Sequence, residues 1–341
     1  MSPTLRRRRL LGAATTLGAA LTAPWLIRPS RAAEFSWRIG HTAPASFPLH
    51  QRLVEAAAEV DEKSGGRMSI TVHADGQLGS AIGLLTQLRN GGLEMGPVAG
   101  QMLHTAQAVA ALPMTGFAWS GFDPLWRALD GDLGRVIRDL LQERAGLVTL
   151  NTVWDFGFRI VTTGDKPIKT AADLVGLRLR TPVEPEFVTL FQALKASPIA
   201  MPLSETFRAL GQRQIDGQEG LLALVVAAGF QSAQRFCAVT NHVWDGQWLC
   251  INQNAWRRLP DPLKTIVVTT FNAAALRQRA DHVTADTNSR AMLTQGGMTI
   301  NTPDPASFRA ALREAGYYRD LRKKFGDRHW DVLEQFTGRL A

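Results

Sequence analysis

Strand-like and helix-like segments alternate through the first part of the chain, and this alternation restricts the possible folds more than any other property. Residues 35–41 and 68–74 place apolar side chains at every second position, as strands do. Residues 50–63 and 82–90 carry them at helical spacing, and a third strand-like run covers 95–100. This order predicts a parallel sheet with helical crossovers. Such sheets bind ligands beyond the carboxyl ends of their strands.

A second constraint is a long helical pattern in the last third of the chain. Asp261 and Pro262 form a typical helix start, and no breaker follows until Gly296, so the pattern ends near Gln295. At about 1.5 Å per residue this helix is about 45 Å long, which exceeds one small lobe. The 341 residues, 45% of them hydrophobic, are enough for two modest cores. We therefore expect an α/β chain of two lobes, with this helix lying across both.

The chain is basic, but its excess positive charge is confined to one end. The formal net charge is +8, and six arginines precede Ala33 with no acidic residue among them. The remainder therefore carries only about +2, so the high isoelectric point does not indicate a basic binding face. We exclude a nucleic-acid-binding protein on this ground.

The first 33 residues have the pattern of an export signal. Three arginines at 7–9 precede an apolar run over 10–27, and residues 30–32 form a small-x-small cleavage site. The segment resembles a twin-arginine signal peptide cleaved near Ala32–Ala33. The alternative is a transmembrane anchor, but Pro24 and the glycines make the run poor for one, and no later stretch approaches about 20 apolar residues. We expect a periplasmic protein.

The cysteines limit the covalent chemistry of the chain. Cys237 and Cys250 are its only cysteines, so at most one disulfide and no thiol-based metal framework can form. The periplasm permits such a bond. Both cysteines lie in apolar strand-like runs, however, where a free cysteine packs as a small hydrophobic residue. We favour free thiols.

Two arginine-bearing strands are the strongest candidates for a binding site. Residues 156–163 and 177–182 both alternate as strands, and they carry Arg159 and Arg180. Between them, a capping box at Thr170-x-x-Asp173 predicts a short helical turn. A guanidinium group matches a carboxylate in bidentate fashion and keeps its charge, so the pair could clamp a carboxylate ligand. The alternative is that these arginines pair with Asp or Glu on a solvated edge.

Several other stretches carry simpler predictions. Residues 126–141 predict one helix, 148–153 a strand and 216–220 a turn. The loop over 112–122 is rich in aromatic residues, among them Trp119. Those aromatic side chains could pack in the core or face a ligand, and the sequence leaves both possibilities open.

At this level of detail the chain resembles the substrate-binding component of a tripartite ATP-independent periplasmic (TRAP) transporter, of the dicarboxylate-binding-protein-like family. The similarity covers nearly all of the chain after the export signal, and its motifs occur in the expected order. They are Asp75-Gly-Gln-Leu-Gly-Ser80, Gly92-Leu-Glu-Met-Gly96, Phe158-Arg159, Lys166-Pro167-Ile168, Asp173-Leu174, Gly176-Leu-Arg-Leu-Arg180-Thr-Pro182, Ile215-Asp-Gly-Gln-Glu219, Thr240-Asn-His242 and Trp256-Arg-Arg-Leu-Pro260.

The resemblance implies a two-lobed periplasmic binding protein fold of a type II-like kind, with mixed sheets flanked by helices. Lobe I would comprise 34–155 and 245–284, and lobe II would comprise 156–244 and 285–341. The lobes would close by a hinge on a ligand held in the cleft between them. No enzymatic activity, catalytic residue, cofactor or metal is implied.

The resemblance also implies roles for individual residues. Arg180 matches the arginine that clamps the ligand carboxylate, Arg159 matches a second arginine that assists, and Gln218 lies in a matched segment near the cleft. The chain departs from the family where Gly220-Leu221 replace the usual Asn-Pro, which removes a polar ligand contact. The full set of candidate ligand-binding residues is Arg180, Arg159, Gln218, Trp154, Phe156, Val183, Leu203, Gly220, Trp119 and His41.

The apolar members of this set predict the ligand class. Val183 and Leu203 stand at places that are often polar or ligand-facing in the family, and Trp154, Phe156 and Trp119 add aromatic surface. The pocket would therefore be less polar than a sugar-acid or dicarboxylate site. We expect a monocarboxylate with an apolar or aromatic body.

Two other functions are open at this stage. A twin-arginine signal often exports enzymes, but the chain shows no GxSxG, HExxH, CxxC or phosphate-loop pattern, and its seven histidines are scattered. A binding protein could also serve a sensor in place of a transporter. The expected partners are a small organic acid and the TRAP permease subunits in the membrane, and the expected oligomeric state is a monomer.

Overall fold

The computed structural model describes residues 33–341. The predicted export signal lies outside the described residues, apart from residue 33. Among the described helices, none is both long enough and apolar enough to cross a membrane.

The N-terminal part has the predicted alternation of strands and helices. Its elements are β1 (Phe35–Gly40), α1 (Pro48–Lys63), β2 (Met68–His73), α2 (Ala81–Asn90), β3 (Met95–Ala99) and α3 (Gly100–Leu103). β1 pairs in parallel with both β2 and β3, which confirms the parallel sheet. Leu53, Ala56 and Val60 of α1 are buried against this sheet, because the apolar stripe of the helix faces it.

The next part crosses from one lobe toward the other. Its elements are a 3₁₀ helix (Ala108–Met114), α4 (Phe122–Leu129), α5 (Asp132–Ala145), β4 (Leu147–Thr149) and β5 (Trp154–Thr163). The prediction of a single helix over 126–141 is wrong, because the helix is interrupted at Gly131. A Cβ atom there would lie 2.5 Å from the Arg127 carbonyl oxygen, so the break depends on glycine. The strand predicted over 148–153 ends at Thr149 instead.

The second lobe is built around strands that follow β5. Its elements are a 3₁₀ helix (Ala171–Leu174), β6 (Arg178–Thr181), α6 (Pro185–Ala193), β7 (Ser197–Ala200), α7 (Leu203–Gly211), β8 (Gly217–Leu221), α8 (Leu222–Ala227), a 3₁₀ helix (Phe230–Ser232) and β9 (Phe236–Ala238). The chain then returns to the first lobe through β10 (Trp244–Asn252), which pairs with β3 and β4. The capping box of Thr170 and Asp173 is present as predicted. The turn predicted over 216–220 is wrong, since β8 is a buried strand between β5 and β6.

The last part contains the long helix. Its elements are α9 (Gln253–Arg258), α10 (Asp261–Gln295), β11 (Thr299–Asn301), α11 (Pro305–Glu314), α12 (Tyr317–Phe325) and α13 (Asp327–Thr337). α10 has the predicted bounds. Its Val267 and Phe271 pack in the core of the first lobe, and its Leu293 packs in a core of the second. The helix therefore spans both, as expected.

The strands form one continuous mixed arrangement in the order β2-β1-β3-β10-β5-β8-β6-β7. The first half of β5 is antiparallel to β10, and its second half is antiparallel to β8 and β9. β5 and β10 therefore connect the two lobes of the fold. The assignment of 285–341 to lobe II stays a prediction, and α13 of that segment packs against α4 and α5. Cys237 and Cys250 are buried free thiols.

Candidate functional site

A cavity of about 300 Å³ lies where the strand ends of the two lobes meet. Its charged and amide-bearing wall residues are Arg159, Arg180, Glu184, Gln101, Gln218, Asp245 and Gln247. Its larger apolar wall residues are Leu84, Met102, Phe156, Leu203, Leu221 and Leu224. The cavity therefore combines a cluster of charges with an extended apolar surface, which is the usual composition of a small-molecule site.

Strand register brings the predicted polar residues together. Arg180 in β6 pairs with Gln218 in β8, and Arg159 in β5 pairs with Leu221 in β8. Arg180 is close to the carboxyl end of its strand, where the parallel-sheet rule places ligands. The two arginines of the sequence prediction therefore line one cavity.

Arg159 is committed to carboxylates of the protein itself. Its Nε and Nη2 atoms donate to the two carboxylate oxygens of Glu219 at 2.7 and 2.9 Å, and its Nη1 donates to Asp245 Oδ2 at 3.2 Å. The guanidinium also stacks over the ring of Phe187, 4.4 Å from its centroid. All three guanidinium nitrogen atoms of Arg159 thus have carboxylate partners. Arg159 is therefore the centre of a buried charge cluster.

The cluster holds Glu219 in its ionised form. Burial alone would raise the pKa of Glu219, but Arg159 and a hydrogen bond with His242 lower that pKa to about 2. Burial in turn lowers the pKa of His242, which favours its neutral form. Arg159 and Glu219 therefore form a buried ion pair next to the cavity, in which attraction between the charges offsets the cost of burying them.

Arg180 has no carboxylate partner within salt-bridge distance in the part of the chain that the structure describes. Its Nε donates to the Met201 carbonyl oxygen at 3.0 Å, and its Nη1 approaches the Glu219 carbonyl oxygen at 3.4 Å. Burial lowers the pKa of this guanidinium, yet an arginine side chain keeps its charge in a protein. Arg180 therefore retains N–H donors and an unpaired positive charge at the cavity wall.

Arg178, two residues earlier on the same strand, shows the opposite situation. It is exposed at the start of β6 and pairs with Asp216. This is the solvated ion pair that the sequence offered as the alternative for such arginines. It applies to Arg178 and not to Arg180.

Asp245 is an acidic wall residue that the sequence prediction missed. Only 4% of its surface is exposed, and its Oδ1 atom has no hydrogen-bond partner among the described residues. Burial raises the pKa of Asp245, while Arg159 opposes that shift. A single acidic residue inside the mostly apolar strand β10 was the available signal. Glu184 and Gln247 were missed as well, and no sequence pattern singles them out.

Five of the other predicted site residues line this cavity or an adjoining one. Phe156, Leu203, Gln218 and Gly220 line the cavity with the arginines. His41 lines an adjoining cavity of about 190 Å³ that shares wall residues with the first.

Three predicted residues have no place in the cavity wall, which corrects the sequence prediction. Trp154 is fully buried in the core of the first lobe because β5 directs its side chain there. Trp119 is also buried, and its indole nitrogen donates to the Pro113 carbonyl oxygen at 2.7 Å. Val183 is 60% exposed and lies outside the cavity, since the chain leaves the strand at Pro182.

The histidines near the second cavity form a pair. His41 Nε2 lies 3.1 Å from His50 Nδ1. Burial and the neighbouring His50 lower the pKa of His41 to about 4, so it is neutral near pH 7. Within residues 33–341, no group of three or more His, Cys, Asp or Glu side chains is arranged to hold a metal ion.

Comparison with known proteins matches most of this chain to one family. Residues 39–321 match the model of a family described as bacterial extracellular solute-binding protein, family 7. A solute-binding protein of Roseobacter denitrificans is 30% identical over 284 residues, which cover 83% of this chain and 86% of the relative.

Two solved structures are similar over most of this chain. The crystal structure of a TRAP periplasmic solute binding protein from Ochrobactrum anthropi has a TM-score of 0.85 at 25% identity, covering 90% of this chain and 96% of that one. A TRAP periplasmic solute binding protein from Roseobacter denitrificans, with bound L-galactonate, has a TM-score of 0.76 at 27% identity, covering 90% of this chain and 99% of that one.

Proposed function

This chain belongs to the bacterial extracellular solute-binding proteins of family 7, the binding proteins of TRAP transporters, and from that premise we propose that it captures a monocarboxylate with an apolar or aromatic body. Members of this family are periplasmic transport proteins that bind small organic acids and work with a membrane permease. The proposal concerns which acid class this chain takes and how it is held.

The unpaired charge of Arg180 is the observation that carries the proposal. A buried cation without an anion is costly, and a ligand carboxylate would supply the missing partner with bidentate hydrogen bonds. Arg159 lines the same cavity but already serves Glu219 and Asp245. One free guanidinium in the cavity wall favours one carboxylate on the ligand.

The remaining wall disfavours a second carboxylate. Glu184 and Asp245 both line the cavity, and an additional anion near them would be repelled. The wall also contains apolar residues, among them Leu84, Met102 and Leu203. The relative with bound L-galactonate also holds an acid with a single carboxylate, which supports one anchoring cation.

We further propose how capture leads to transport. The lobes would close about β5 and β10, where the two lobes are joined, and closure would bury the pair of Arg180 and ligand carboxylate. The closed receptor, a monomer and not an enzyme, would then deliver its ligand to the TRAP permease. The twin-arginine export signal and its cleavage near Ala32–Ala33 stay predictions.

Thermal unfolding with a panel of acids tests the proposed ligand class. The panel contains aliphatic, aromatic, hydroxy and keto monocarboxylates, sugar acids and four-carbon dicarboxylates. A ligand at a hundred times its dissociation constant adds about 2.7 kcal/mol, which raises the melting temperature by several degrees. We expect the largest shifts with monocarboxylates of apolar body. Largest shifts with dicarboxylates would contradict the proposal.

A further inference from the structure

We propose that Asp245 recognises a hydroxyl group on the bound acid, so that it determines specificity for hydroxylated monocarboxylates. This inference rests on the proposed function, because it requires an acid anchored at Arg180. It adds a second contact point to the ligand, on the lobe-connecting strand β10.

The first observation is an unused acceptor in the cavity wall. Asp245 Oδ2 receives the Arg159 Nη1 hydrogen at 3.2 Å, while its Oδ1 has no partner among residues 33–341. Buried polar atoms in folded proteins nearly always have a partner, and an unpaired one is destabilising. Asp245 also lines the cavity, so a bound molecule can supply the missing hydrogen bond.

The second observation is that the buried side-chain atoms of this wall without a hydrogen-bond partner among the described residues are acceptors. Gln101 Oε1 is the other buried side-chain atom of the cavity wall that lacks a partner among the described residues. The guanidinium group of Arg180 retains N–H groups that can donate to a ligand. A ligand that fits this pattern has a carboxylate at one end and at least one hydrogen-bond donor on its body.

The protonation chemistry of Asp245 selects a hydroxyl among the possible donors. Burial raises the pKa of Asp245, Arg159 opposes the shift, and the nearby Glu219 and Glu184 add to it. A hydroxyl group donates to the ionised form and accepts from the protonated form. A keto oxygen suits only the protonated form, and an ammonium group suits only the ionised one.

Matched ligands isolate the hydroxyl contribution. One set is 3-phenylpropanoate with its 2-hydroxy, 3-hydroxy, 2-oxo and 2-amino derivatives, and the second is 3-methylbutanoate with the same derivatives. Titration calorimetry on the purified protein gives each dissociation constant. We expect a hydroxy acid in at least one set to bind about tenfold or more tightly than its unsubstituted parent, as a hydrogen bond to a charged group implies.

Variants assign that preference to Asp245. Asp245→Ala should reduce the preference for the hydroxy acid, measured as the ratio of the dissociation constants of parent and hydroxy acid, to within about threefold. Asp245→Asn keeps an oxygen next to Arg159 and should reduce the preference severalfold, which covers the case that the alanine variant does not fold. Asp216→Ala, outside the cavity wall, is the matched control and should retain the full preference.

The outcomes separate the two proposals. If parent and hydroxy acids bind the wild-type protein equally through Arg180, or if the preference survives in Asp245→Ala or in a folded Asp245→Asn, the role of Asp245 is refuted while the monocarboxylate receptor stands. Preference for the keto or amino derivative also refutes a hydroxyl contact. If no monocarboxylate binds, or if binding persists in Arg180→Ala, the proposed function fails and this inference fails with it.

Discussion

Three arginines on two strands of the same sheet, β5 and β6, show how context decides the role of one residue type. Arg178 forms an exposed ion pair, Arg159 is buried between two carboxylates, and Arg180 has no carboxylate partner among the described residues. The alternation of each strand predicts which side chains can share a face. It cannot predict that Glu219 and Asp245 reach Arg159, because those residues come from β8 and β10.

The buried cluster predicts a large stability difference between two arginine substitutions. Arg159→Ala leaves Glu219 and Asp245 buried without their cation, which should cost about 3–5 kcal/mol of unfolding free energy. Urea denaturation measures this loss. Arg178→Ala is the matched control on a solvated pair and should change stability little. Equal denaturation midpoints for the two variants would contradict the structural role of Arg159.

His41 predicts a specific acid sensitivity of folding. Its pKa is lowered from 6.5 to about 4 by burial and by His50, so the unfolded chain binds a proton that the folded chain does not. Its contribution to stability is therefore full above pH 6.5, is lost as pH falls from 6.5 toward 4, and then levels off. Urea midpoints at several pH values measure this loss.

His41→Asn should remove this component of the pH dependence. Above pH 7, where His41 is neutral in both the folded and the unfolded chain, the stability of the variant and of the wild-type protein should depend on pH in the same way. This range provides an internal control. An unchanged slope between pH 6.5 and 4 in the variant would show that other groups cause the acid sensitivity.

At the scale of elements, β8 shows where sequence patterns fail. Its sequence, Gly217 to Leu221, has two glycines and two polar or charged positions and follows an aspartate, which is typical of a turn. The strand forms because it lies between β5 and β6, and a Cβ atom at Gly217 would lie 2.3 Å from the Thr162 carbonyl oxygen. Glycine here permits close strand packing, a tertiary requirement that no local pattern contains.

Helix α10 shows the opposite case, in which local signals suffice. Its start, its length and its end follow from Pro262 and from the absence of breakers before Gly296. Its polar contacts with β5 were not predictable, because they depend on the tertiary position of buried side chains. Gln278 accepts from the Asp155 backbone N–H at 2.9 Å and donates to the Asp155 carbonyl oxygen at 2.7 Å.

The contact between Gln278 and Asp155 predicts the effect of replacing Gln278 with an apolar residue of similar size. Gln278→Leu keeps the helix but leaves the N–H and C=O groups of Asp155 unpaired in a buried site, at a cost of about 1–3 kcal/mol for each group. Leu276→Ala, at an exposed position of the same helix, should change stability by less than about 0.5 kcal/mol. Chemical denaturation compares the two. A small effect at Gln278 would mean that α10 does not depend on this contact.

At the scale of the molecule, the two-lobed fold and the spanning helix were predictable from element order and from the family resemblance. Arg159 and Arg180 were predictable as cavity residues from the alternation of their strands, whereas Gln218 followed only from the family resemblance. Trp119 and Trp154 were misassigned because a buried tryptophan in a core and one in a pocket have the same local sequence signal. Asp245 was missed because its importance depends on an unpaired atom, which only three-dimensional packing reveals.

The central claim is that Arg180 anchors a single carboxylate, and calorimetric titration of its variants tests this claim most directly. The ligand is the monocarboxylate that gives the largest thermal shift, and Arg178→Ala serves as the control on the same strand. Loss of one partner of a buried ion pair costs about 3–5 kcal/mol, so Arg180→Ala should weaken binding by roughly a hundredfold or more, while Arg178→Ala leaves it unchanged. Unchanged affinity in a folded Arg180→Ala protein would contradict the account.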